Sequence, residues 1–107
     1  FYGGDPIRLV LLHPDGRVEE VWLGSDRGAG QRVQVVVPAF VWQAGEVAPD
    51  GTHGLFGCTM APGFTGAGFE GGRRGHLLAS HPAARVDIER MGVPDEEPSS
   101  MPAGFAT

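Results

Sequence analysis

Ile7-Arg8-Leu9-Val10-Leu11-Leu12-His13-Pro14-Asp15-Gly16-Arg17-Val18-Glu19-Glu20-Val21-Trp22-Leu23-Gly24 is the stretch whose reading decides the fold class. Residues 7–12 form a short, almost wholly apolar run containing a β-branched pair, which reads as a strand. Pro-Asp-Gly then signals a turn: proline presets the backbone at one position, aspartate bonds its own backbone, and glycine accepts a positive φ. Residues 17–23 carry Val18, Val21, Trp22 and Leu23 among Glu19 and Glu20 and stop at Gly24. Strand, turn and strand make a hairpin.

Outward from the hairpin, the same signals recur. Arg32-Val33-Gln34-Val35-Val36-Val37 alternates, becomes continuously apolar and ends at Pro38, which cannot donate to a ladder. A third strand is predicted there. Phe40-Val41-Trp42-Gln43-Ala44 restarts extended structure, and residues 54–60 place Phe56, Cys58 and Met60 on one face with Leu55, Gly57 and Thr59 on the other. Five strand-like runs within sixty residues, without sustained 3.6-residue periodicity, indicate an all-β sandwich or barrel. The glycine-bearing loop 24–30 lacks the Gly-Lys-Ser/Thr ending of a phosphate loop and reads as a hairpin loop. Leu77-Leu78-Ala79 after Arg73-Arg74, closed by Pro82, suits one short helix over 72–81, and a further helical turn or two follows at 84–91. Beyond Gly92 the composition is too polar and proline-rich to offset the entropy of ordering, so a flexible tail is expected over 92–107.

Composition bounds the function classes. The chain has 107 residues, 41% of them hydrophobic, which is one domain with a modest core. The net charge of −5 argues against a phosphate-backbone partner, since the only adjacent basic pair is Arg73-Arg74. A single cysteine, Cys58, cannot form an internal disulfide, so a reduced, cytoplasmic setting is the default expectation. No apolar stretch approaches the roughly 18 to 20 residues that span a bilayer. Neither nucleic acid nor membrane is expected as a partner.

Four strings carry a family likeness: Phe1-Tyr2-Gly3-Gly4-Asp5-Pro6, Pro38-Ala39-Phe40-Val41-Trp42-Gln43-Ala44, Gly57-Cys58-Thr59-Met60-Ala61-Pro62-Gly63-Phe64 and Phe69-Glu70. In order and spacing the chain resembles a family of RmlC-like cupins over about residues 1–82, with 83–91 as a short helical extension. The resemblance implies a jelly-roll β-barrel, here lacking its N-terminal strands, with one short C-terminal helix. It also implies a homodimer, and kinship in fold with dTDP-sugar epimerases and seed storage proteins. The family's activity is largely unassigned, so the likeness implies a fold more than a reaction. In such proteins the first cupin motif, with its histidine and acidic residues, lies just before the Phe-Tyr string that opens this chain. After Phe64, Thr65, Gly66 and Gly68 stand where the family has acidic and aromatic residues.

The candidate site residues are weighed against plainer roles. Metal-binding cupins place a histidine about five residues after the proline of the second motif, and here that position is Gln43. The four histidines, His13, His53, His76 and His81, show no metal-ligand spacing and read as surface residues, so no metal or other cofactor is expected unless first-motif ligands stand upstream. Gln43 can donate and accept hydrogen bonds to an organic ligand and Trp42 can supply an apolar wall, yet neighbours on a strand face opposite ways, so pocket and core stay open for the pair. Cys58 and Phe64 complete the ligand-binding set through their shared motif; on an apolar strand Cys58 is otherwise a small buried hydrophobe. Glu70 is the catalytic candidate, as a general base at a barrel mouth, against the plainer role of capping the following helix or pairing with Arg73 or Arg74. Two function classes follow: a cupin-fold protein binding a small organic molecule, or an epimerase- or isomerase-like enzyme. A dimerisation module is the third.

Overall fold

A computed structural model describes residues 1–106. The chain divides into two compact units, Phe1–Gly57 and the residues from Cys58 on.

The first unit is built on the hairpin. Strand β1 (Gly3–Gly4) is followed by β2 (Ile7–Leu12) and β3 (Val18–Leu23), which pair antiparallel with Leu12 opposite Val18 and Ile7 opposite Leu23. The turn between them closes as its residues dictate. Gly16 takes a φ of 89° and donates to the His13 carbonyl, His13 N donates to the Arg17 carbonyl, and Asp15 accepts from Arg17 N. That last bond holds the Asp15 carboxyl below its ordinary range. Strand β4 (Trp42–Val47) pairs antiparallel with the other edge of β2, so the sheet order is β3-β2-β4 with the first apolar run at its centre.

Central position accounts for the burial of β2. Five of its six residues are buried, and Ile7, Leu9 and Leu11 join Val21 and Leu23 in one core cluster. Phe1, Val35, Val37, Val41 and Val47 pack against that cluster. The opposite face of β2 presents Arg8, Val10 and Leu12, and Arg8 is held there by two carboxylates. Its Nε donates to Glu20 at 2.6 Å and its guanidinium to Glu46 at 3.2 Å, while Trp22 Nε1 donates to the second Glu20 oxygen.

A second, two-stranded sheet pairs β1 with β5 (Gly54–Leu55). Asp5 pins its far end by accepting from Thr52 N, Thr52 Oγ1 and His53 N. The two backbone donors hold the Asp5 carboxyl below its ordinary range.

Two of the predicted strands are corrected. Residues 32–37 make a single parallel bridge, Arg32 with Leu23, and no ladder after it. Val35 and Val37 still turn inward while Val36 between them is exposed, so the alternation survives over 35–37 without backbone pairing, and Val33 is exposed out of phase with it. The strand predicted over 54–60 ends at Leu55, since β1 offers it only two residues, and 56–60 are exposed and irregular. The glycine-bearing loop holds a 3-10 turn, Arg27–Ala29, capped by Asp26 and closed by Gly30 at a φ of 82°.

The second unit contains α1 (Arg74–Ser80) and α2 (Arg85–Met91), in the two predicted places, joined by a 3-10 turn over Pro82–Ala84. Leu77, Ala84 and Ile88 are its buried apolar residues. Beyond α2 the chain forms no helix or strand among the described residues, yet it returns to residues 66–75. Val93 bridges Arg73, Ser99 O accepts from Gly71 N, and Ala106 O accepts from Gly66 N.

Candidate functional site

Register decides which of Trp42 and Gln43 shares a face with the core. Gln43 stands opposite Leu11, and Leu11 stands opposite Glu19 on the other side, so Gln43, Leu11 and Glu19 form one row across the sheet on the face of the core cluster. Trp42 stands opposite Leu12, on the face that carries Arg8, Trp22 and Glu46. Gln43 is exposed and Trp42 half-buried. The amide is therefore open at the polar end of an otherwise apolar face.

The hairpin turn brings three further polar groups to that end of β3. His13 Nε2 lies 2.9 Å from Glu19 Oε1, and His13 Nδ1 lies 3.3 Å from the Arg17 guanidinium. One tautomer satisfies both contacts, with Nε2–H donating to the carboxylate and Nδ1 accepting from arginine. The imidazole is buried, whereas Arg17 and Glu19 remain partly open to solvent. With both ring nitrogens engaged, His13 orients Glu19 and Arg17 rather than presenting a base of its own. Together with Gln43, these side chains offer a carboxylate acceptor, a guanidinium donor and an amide that does both.

His13 and His81 are buried, contrary to the surface reading of the histidines, and for a local reason in each case. His13 sits in the mouth of the hairpin turn and His81 at the junction of α1 with the following 3-10 turn, where Ser80 Oγ meets its Nδ1 at 2.8 Å. Among the described residues no group of three or more histidines, cysteines or acidic residues gathers as metal ligands do.

The other predicted site residues lie in the second unit. Cys58 is exposed rather than a buried hydrophobe, because the strand expected to carry it ends three residues earlier. Phe64 and Glu70 are also exposed. Glu70 makes no hydrogen bond or ion pair among the described residues. Asp95 takes the place expected of it, accepting from Gly75 N in the first turn of α1, while Arg73 donates to the Asp95 carbonyl. Within this unit a hollow of about 190 Å³ lies between the turn at 65–69 and residues 100–106.

His13, Glu19 and Arg17 are the polar residues that reading by motif misses. Their signal is the tight turn itself, since a five-residue connection brings the side chains at its two ends against each other.

Comparison with known proteins gives one match. No curated protein and no solved structure matches the chain. A family model described as Cupin superfamily (DUF985) matches residues 1–71, about two-thirds of the length, and includes the Phe-Tyr, Pro-Ala and Gly-Cys-Thr strings. A β-rich antiparallel body and that match agree, and the chain belongs to this cupin family.

Proposed function

We propose that this cupin-fold protein binds a small polar organic molecule on the core-cluster face of the β3-β2-β4 sheet. The observation that carries the reading is the register, which sets an exposed Gln43 in line with Glu19 on the face of Ile7, Leu9 and Leu11. A few polar groups beside apolar surroundings are the usual composition of a small-molecule site, and Gln43, Glu19 and Arg17 stand at the solvent-accessible border of the buried cluster. The mixture of amide, carboxylate and guanidinium suits hydroxyl and carboxylate groups. A jelly-roll barrel with this face inward, and a homodimer in a reducing cytoplasm, complete the proposal.

Saturation-transfer NMR with a panel of monosaccharides and small hydroxy acids tests it. A binder should lose about tenfold in affinity in Gln43→Ala, the loss of one or two ligand hydrogen bonds, and keep its affinity in Trp42→Phe. Equal binding by Gln43→Ala, or no binder in the panel, overturns the site or the ligand class. A second reading, an isomerase-like enzyme, rests on Glu19 as the carboxylate base with His13 holding it in place at 2.9 Å. A panel member that is chemically converted, with conversion lost in His13→Gln, replaces binding by that reaction.

A further inference from the structure

The second unit contains a segment that folds back on the loop preceding its helices. Thr65 Oγ1 accepts from Gly68 N and so fixes the 3-10 turn Gly66–Gly68, whose first amide finds no partner within the turn. That amide donates to the Ala106 carbonyl at 3.2 Å, and five residues further on Gly71 N donates to the Ser99 carbonyl at 2.6 Å. Gly66 is buried although its neighbours from Met60 to Glu70 are exposed. A β-carbon on Gly66 would land on the carbonyl oxygen of Phe105. The returning segment therefore closes into a notch that exists only because residue 66 has no side chain.

The closed form is lightly held. Of residues 99–106 only Ser99 and Met101 are even partly buried. Ala106 is in the left-handed region, at a φ of 49°, where a residue with a β-carbon is unfavourable. Pro102 within the segment and Pro98 just before it have no backbone N–H with which to fasten it. Between segment and turn lies the hollow of about 190 Å³, lined by Thr65, Phe69, Ser100, Met101 and Phe105 among others, with no charged side chain among the described residues.

We propose that residues 99–106 form a removable strap over the 65–71 loop, seated through the notch at Gly66, which opens without unfolding the rest of the protein and uncovers the Gly66 and Gly71 amides of that loop when it does. Local opening of a lightly held segment is the general behaviour of regions with few buried contacts.

Amide hydrogen exchange read by NMR on the full 107-residue chain tests the strap. The Gly66 and Gly71 amides should exchange at least tenfold more slowly than in a variant ending at Pro98, and at least tenfold faster than the slowest amides of β2. Gly66→Ala in the full chain should expose the amide of residue 66 to the same degree as the truncation, while β2 exchange stays unchanged. In the truncated chain Gly66→Ala should do nothing further, since the φ at Gly66 is ordinary and Phe105 is gone. Protection of Gly66 that survives truncation overturns the proposal, because something else then covers the notch. Protection equal to that of β2 also overturns it, because the segment is then part of the cooperative core.

Discussion

Residues 7–12 and 32–37 have similar compositions and different fates. Each is a six-residue run dominated by aliphatic side chains with one arginine. The first becomes the central strand, paired along its whole length on both sides, and five of its residues are buried. The second meets β3 at one bridge and then runs unpaired, with Val36 at 80% exposure. The second run keeps the alternation of an extended chain only over its last three residues, where Val35 and Val37 face the core and Val36 does not. Composition thus selects an extended backbone and an inward face, while a strand also needs a neighbour whose backbone groups are free and in register.

That comparison can be broken by substitution, and the largest effect belongs to the central run. Leu11→Ala removes a side chain that is 2% exposed and should lower unfolding free energy by about 3 kcal/mol in urea titrations. The turn that leads from the second run into β4 should respond in the opposite sense. Phe40 holds a φ of 66° and is 91% exposed, so Phe40→Gly relieves backbone strain, gives up little packing, and should raise the unfolding free energy by about 1 kcal/mol in the same titrations. Smallest is Val36→Ser, which should stay within about 0.5 kcal/mol of the parent. A loss at Val36 comparable with that at Leu11 would show that the second run is core after all, and a destabilised Phe40→Gly would show that the phenyl ring is held by packing.

Local signals were legible in the sequence, and those that depend on distant partners were not. Pro-Asp-Gly between two apolar runs dictated the hairpin because its partners are adjacent in the chain, and Leu77 with Pro82 marked α1 for the same reason. Residues 54–60 looked like a strand by alternation, yet β1 supplies two residues of pairing and the strand stops at Leu55. Gln43 was recognisable as a polar group at a significant strand position. That it shares the face of the core cluster while Trp42 does not is a matter of register with Leu11, which composition cannot fix. The contact of His13 with Glu19 was missed because both residues read separately as turn and surface. Cys58 followed the error in its strand, and Glu70 gave up its expected place to Asp95, twenty-five residues downstream.

Strand order also carries a consequence in time. The partner of β2 on one side arrives after a turn of five residues, and the partner on the other side only after the chain has passed through the whole of 24–41. Loop-closure entropy grows with the logarithm of the span, so the second pairing costs roughly 1 to 2 kcal/mol more to initiate than the first. Hairpins close in microseconds once their turn is formed. The hairpin is therefore expected to form first and to wait as a two-stranded template, with the second edge of β2 unpaired, until β4 docks along it.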